Sequence, residues 1–314
     1  MSIPPFPAHQ AREGRFVGTI RSLRPHLENT MRYMLLRRSD PAHEAGLPIS
    51  PARRAALVAY TGAMADAGIL RACEHLLPSA SGVRLSIANG RVTRTDGPFA
   101  AAHALIAGFA AIDVASKGEA LEWAARWPPG EAGAAEVEVR LSGCPDGCAD
   151  VHAAEQPGAS GQRYAILLRS SVDLENEIPV ARARLDALDA HNAAEARAGV
   201  LLGADGLRSS ALATRVRLAS GKLTVVDGPF TEIKEMIAGY WLIRAPSLQD
   251  AIAWATRNPY PVGPPVEVEI RQLAELHDGA AVFTPELRAA EQHMRTHQLD
   301  AGMRAQLAGA PVPR

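Results

Sequence analysis

The chain has 314 residues, 47% of them apolar and 21% charged, with 33 basic against 34 acidic side chains and a net charge of -1. That length suits about two ordinary domains, and the charge balance points away from nucleic acid or an anionic membrane as the main partner. No apolar run is long enough to span a bilayer, and three cysteines, an odd number, argue against a disulfide framework and fit a reducing cytoplasm.

Residues 1–30 are rich in Pro, Arg and His and lack both sustained periodicity and the apolar centre of a secretory signal. They read as a dispensable extension with one short helix around Val17 to Leu23, before a first domain over 31–142. From Met31 onward the chain repeats itself. Arg32-Tyr33 answers Arg163-Tyr164, and each opens an apolar run that reads as a buried strand. Pro48 to Ala67 reads as a helix, with Ser50 as N-cap and Pro51 at its first position, and its counterpart is Pro179 to Ala198. Gly68-Ile69-Leu70 and Gly199-Val200-Leu201 close these helices and start the next strands. Val83 to Ile87 and Thr214 to Leu218 each lead into a glycine turn, the signature of a hairpin.

Asp96-Gly97-Pro98-Phe99 and Asp227-Gly228-Pro229-Phe230 follow, a step of 131 residues. Strands around Gly108 to Val114 and Gly239 to Arg244 come next, then helices carrying Trp123 and Trp254, and Glu-Val-Glu strands at 136–138 and 267–269. Register is kept without a net gap from 32–140 to 163–271, so the domain is duplicated. Each half reads β-α-β, hairpin, β-α-β, and two helices can cover one face of its sheet only. The other face needs burial, and the sibling unit is nearest. Fusion makes that contact intramolecular and avoids an association cost of roughly 4–15 kcal/mol. Two sheets packed face to face, with helices outside, are therefore expected.

The segment 143–162 reads as a linker, with Cys144, Cys148 and His152 at steps of four. Three ligands at that spacing suit a metal on a helix, but Pro145 and Gly147 break one, and two free thiols are the simpler reading. The second domain spans 163–273. In the tail, 274–314, Thr284 and Pro285 start a helix toward Leu307, one side of which could pack on the barrel or on another copy in a homo-oligomer. His293 and His297 sit four apart in it and read as surface residues.

Arg-Tyr-Met-Leu-Leu at 32–36, Arg-Tyr-Ala-Ile-Leu-Leu at 163–168, the Ala-Gly-Ile/Val-Leu helix exits and the two Asp-Gly-Pro-Phe turns resemble a tandem of YCII-related (DGPF) domains. In the second copy Asp227 to Glu235 and Gly239-Tyr240 complete the pattern. The resemblance implies an α+β fold, two ferredoxin-like repeats joined as an intrachain dimeric α+β barrel. It implies no substrate: relatives are similar to cofactor-independent enzymes of aromatic breakdown, and others are encoded beside sigma factors.

Candidate site residues come from the differences between halves and from polar groups on apolar faces. Asp96 and Asp227 can cap backbone N–H groups as Asx turns, or stand as rigid carboxylates at the barrel mouth. Glu232, Lys234 and Glu235 face Ala101, His103 and Ala104 in the first half. Either they form a solvated first turn or they line a pocket that only the second repeat completes. His191 answers Tyr60, both leaning toward apolar stripes. His191 is either a core ring or a proton carrier near pH 7 with Asp227 as its orienting partner. Tyr240 joins the ligand-binding candidates. The doubled arginines Arg37-Arg38 and Arg53-Arg54, interleaved with acids, read as solvated surface.

No phosphate-binding glycine loop, nucleophile elbow or zinc-protease helix is present, and neither metal nor cofactor is called for. Two functions remain in view. One is a small-molecule enzyme using His191 and Asp227 for cofactor-independent acid–base chemistry. The other is a ligand-binding or regulatory module in which the same groups orient a metabolite. Convergence of His191, Asp227 and Glu232 within hydrogen-bond reach would separate them.

Overall fold

Strand β1 (Met31–Arg38) opens the first repeat, and its alternation sets the plan of the whole molecule. Tyr33 and Leu35 point to a helical outer layer, whereas Met34 and Leu36 point to the opposite sheet. The computed structural model describes residues 30–145, 151–152 and 160–274. The N-terminal extension, Cys148 and the tail helix expected beyond 274 lie outside them.

Chain order after β1 is α1 (Pro41–Glu44), α2 (Pro51–Asp66), β2 (Leu70–His75), β3 (Val83–Ala88), β4 (Arg91–Asp96), β5 (Ile106–Val114), α3 (Lys117–Ala125) and β6 (Ala135–Leu141). A short β7 (Val151–His152) precedes the second repeat: β8 (Gln162–Arg169), α4 (Val172–Glu175), α5 (Arg182–Arg197), β9 (Leu201–Gly206), β10 (Thr214–Ala219), β11 (Lys222–Asp227), β12 (Ile237–Ala245), α6 (Leu248–Arg257) and β13 (Val266–Gln272). Ser50 caps α2, its hydroxyl accepting from the Arg53 amide. The matching position before α5 is Ala181, which offers no side-chain cap.

The sheets run β11-β10-β6-β1-β5-β2 and β4-β3-β13-β8-β12-β9-β7. The hairpins are exchanged. The second repeat's β10–β11 pairs with β6 of the first, Val216 opposite Val137, and the first repeat's β3–β4 pairs with β13 of the second, Leu85 opposite Val268. Single bridges Leu76–Leu273 and Ser142–Leu207 join the halves further, drawing the two sheets toward a closed barrel. The fold is thus α+β, two ferredoxin-like repeats packed sheet to sheet, with the exchanged hairpins as the feature that sequence did not announce.

Three apolar clusters follow from this plan. One lies under α2 and α3, one under α5 and α6, and the third between the sheets, where Phe109 and Tyr240 meet at 5.1 Å. Val216 belongs to the first repeat's outer core, and Val83 and Leu85 to that of the second. Each half therefore lends the other part of its core.

Two buried charge clusters flank the inter-sheet core. Glu138 accepts from Arg38, Arg140 and Arg215, at 2.5, 3.0 and 2.9 Å. Glu269 accepts from Arg169, Arg271 and Arg84, the last two at 3.0 and 2.9 Å. Burial would raise each carboxyl, but the three guanidinium groups outweigh it and hold both at about 2. Arg37 and Arg38 are accordingly buried rather than solvated, because β1 carries them into the interior where carboxylates from a neighbouring strand and the following turn receive them.

The Asp-Gly-Pro-Phe turns seal these clusters from the other half. Phe99 lies under the Arg84 guanidinium at 4.1 Å, and Phe230 under Arg215 at 3.8 Å. A Cβ at Gly97 would stand 1.8 Å from the Ser79 carbonyl oxygen, and one at Gly228 equally close to that of Ser210. Only glycine lets the turn lie so near that backbone.

Candidate functional site

After β11 the chain leaves the six-stranded sheet, and Thr231 to Glu235 carries it back to β12 in the seven-stranded one. At that crossing a cavity of about 910 Å³ opens, a volume within the usual range for a small-molecule site. Its floor is the end of β8, Leu168 and Arg169. Val172 to Leu174 of α4 and Ile178 to Ala181 form one wall, and the loop Pro261 to Pro265 before β13 forms the other. The walls are largely apolar. Val172 and Ile178, 60% and 53% exposed, stand side by side at the opening.

Charges of both signs ring this opening. Arg184, in the first turn of α5, reaches to 3.7 Å from where a side chain on Gly263 would begin. Lys234 and Glu232 are exposed and Glu235 half-buried. The Thr231 hydroxyl donates to Glu232 at 2.8 Å and holds that carboxyl below its ordinary range, so it is ionised at neutral pH. On the floor Arg169 is already engaged, donating to Glu269 and to the Glu235 carbonyl oxygen. The arrangement can enclose a compact apolar body and offer it hydrogen bonds at the mouth.

The structure brings Glu232, Lys234 and Glu235 together at this cleft and puts the other sequence-derived candidates elsewhere. His191 is half-buried on α5, its ring 5.5 Å from that of Trp254, and burial followed by the Arg257 charge lowers its pKa. Asp227 ends β11 on the other sheet, exposed, where the Thr214 hydroxyl donates to it at 2.5 Å and Lys117 at 3.3 Å. The pair does not meet, and neither side chain lines the cleft. Asp96, at the matching place in the first repeat, accepts from Arg94 at 2.8 Å. Tyr60 is packed among the outer-layer tryptophans, donating its hydroxyl to the Trp123 carbonyl at 2.9 Å, with its pKa raised by burial. Tyr240 sits in the inter-sheet core.

Sequence reasoning missed Arg169, Arg184, Ile178 and Val262. Contrast between the halves points to this place through Leu168, Ser171 and Leu174, which stand where the first repeat has Arg37, Asp40 and His43, and through Val262 opposite Glu131, whereas Arg169 and Arg184 repeat Arg38 and Arg53 and give no contrast. Cys144 is disulfide-bonded, against the free thiol expected there, and Cys73 is a free thiol. Among the described residues no group of His, Cys, Asp or Glu is arranged to hold a metal, and no helix is long and apolar enough to cross a membrane.

Comparison with solved structures returns chlorite dismutase from Candidatus Nitrospira defluvii. An arginine-to-alanine variant is 11% identical over 79% of this chain and 92% of that one, with a TM-score of 0.33. The same enzyme in complex with imidazole is 11% identical over 85% and 95%, with a TM-score of 0.31. No curated protein is significantly similar in sequence. The model of the YCII-related domain matches twice, over residues 31–141 and 163–274, the two units that exchange hairpins here. The chain belongs to the YCII-related domain family, as a tandem of two such domains.

Proposed function

We propose that this protein binds a compact, largely apolar small molecule in the cleft of its second repeat. The observation that carries this reading is the cavity of about 910 Å³ walled by aliphatic and proline side chains at the β8 end. With Arg169 already paired, the lining carries Asp173, Glu232, Glu235 and Glu267 against Arg184 and Lys234, a balance that disfavours an anionic ligand. A neutral ring or carbonyl compound that accepts a hydrogen bond from Lys234 or Arg184, or donates one to Glu232, fits best. Acid–base chemistry through His191 and Asp227 finds no support in their placement, one on helix α5 and the other at the end of β11, so binding is the reading preferred over catalysis.

Thermal-shift measurements with acetophenone, phenol and benzoate, on the natural protein and on Val262→Trp, test this. At least one neutral compound should raise the melting temperature of the natural protein and leave the variant unmoved, because the indole would fill the cleft. Equal responses from both proteins, or no response to any of the three, would overturn the proposal.

A further inference from the structure

The corresponding place in the first repeat holds different chemistry. Arg37 takes the position of Leu168, is 94% buried, and donates through one terminal nitrogen to Asp40 at 2.5 Å. Asp40 also accepts from the His43 amide at 2.9 Å as the N-cap of α1. Gly130 closes over this pair: a Cβ there would lie 3.3 Å from the Asp40 carboxylate and 3.9 Å from the Arg37 guanidinium. Arg53 enters from the first turn of α2, close enough for its charge to act on both Arg37 and Asp40.

Three buried nitrogens in this cluster, Arg37 Nε, Arg53 Nε and His43 Nε2, have no hydrogen-bond partner among the described residues. Buried N–H groups are nearly always paired, and a buried guanidinium left half-satisfied is costly. The charges are also unbalanced. Two guanidinium groups face the single Asp40 carboxylate, because Glu44 is taken by Ser39, by the Ser79 amide and by Arg271. Helix α2 adds to the surplus: its first turn has no acid and carries Arg53 and Arg54, where the helix dipole favours negative charge. One acceptor is already nearby, since Glu131 takes the Ser50 amide at 2.7 Å from the exposed side. An oxyanion seated among the three unpartnered nitrogens would satisfy them and balance the charge.

From this we infer that the first repeat carries an oxyanion site, formed by Arg37, His43 and Arg53, that takes a carboxylate or a phosphate group. Arg53, like His43, is half-buried, and its removal leaves the Arg37–Asp40 pair in place.

Isothermal titration of the full chain with inorganic phosphate, and separately with acetate, tests the inference at an ionic strength fixed by potassium chloride. One site per chain is expected for at least one anion, at least tenfold weaker in Arg53→Gln and unchanged in Arg182→Gln, an exposed arginine of the second repeat that lies outside both places. His43→Leu, which copies Leu174, should weaken the same anion at least threefold. Phosphate binding without acetate assigns a phosphate ligand, and the reverse a carboxylate. Absence of binding by both anions would overturn the site, as would equal binding by Arg53→Gln and the natural protein, or equal loss in Arg182→Gln.

Discussion

The two repeats share a scaffold and differ at its mouth. Both hold a glutamate in a ring of three arginines, both send a hairpin to the other sheet, and both fold a phenylalanine under the arginine that reaches across. At the end of the first strand they part. The Arg37–Asp40 ion pair and the neutral His43 fill that space in one repeat, and Leu168, Ser171 and Leu174 leave an apolar cleft in the other. What the sheets need to stay together has been kept twice over; what a ligand would touch has been free to diverge. A duplicated domain whose halves stabilise each other can change one mouth without losing the other.

The largest expected effect tests the shared part. Glu138→Gln and Glu269→Gln should each cost about 3–5 kcal/mol in urea unfolding, since either leaves three arginines buried without their carboxylate. A difference of more than about 1.5 kcal/mol between them would break the equivalence of the two clusters.

Next in size is acid sensitivity. His43 is held neutral, its pKa lowered to about 4 by burial and by Arg37. A histidine with a depressed folded pKa stabilises above its unfolded value of about 6.5, and that contribution is lost as pH falls through about 4. His43→Gln should therefore flatten the stability profile between those limits by on the order of 2 kcal/mol. Below about 4.5 the fall should steepen in both proteins, because the depressed carboxyls of Glu138 and Glu269 contribute stability that is lost as pH drops toward about 2. A variant profile identical to the natural one between pH 6.5 and 4 would remove His43 as the cause.

A smaller stability change is expected when the mouths are made alike. Arg37→Leu combined with Asp40→Ser copies the second repeat and replaces a buried ion pair with packing, which is often neutral, so stability should move by no more than about 1 kcal/mol. Serine at 40 can still cap α1, as Ser171 caps α4. The double variant should bind a second equivalent of whichever neutral compound the natural protein takes, read by calorimetry; unchanged stoichiometry would show that the side chains at 37 and 40 do not decide the difference. The smallest effect belongs to Asp227→Asn. Its exposed carboxylate touches only Thr214 and Lys117 among the described residues, so urea midpoint and ligand affinity should both stay within error. A tenfold loss of affinity would restore Asp227 to the site.

The repeat, the element order and the face-to-face sheets were legible because a 131-residue register and period-two strands are local, additive signals. The hairpin exchange was not, since Val83 to Ile87 reads the same whichever sheet it joins. Arg37-Arg38 looked like solvated surface because a charged pair carries no mark of burial by itself. The mark lay 100 residues on, where Glu138 and Arg140 alternate on one face of a strand, as Glu269 and Arg271 do in the second copy. Glu232, Lys234 and Glu235 were found by contrast between the halves, and they do border the cleft. Chemistry alone pairs His191 with Asp227, and chemistry says nothing about whether a helix of one repeat meets a hairpin lent to the other.

The exchange of hairpins sets the order in which this protein can be finished during synthesis. When the first repeat leaves the ribosome, β6 has an open edge and β3–β4 has no sheet to join, because both partners lie more than 70 residues further along the message. In the folded chain each domain's sheet is extended by a hairpin from the other. A nascent chain stalled near residue 150 would carry two unsatisfied strand edges, and a second stalled copy would supply what each lacks.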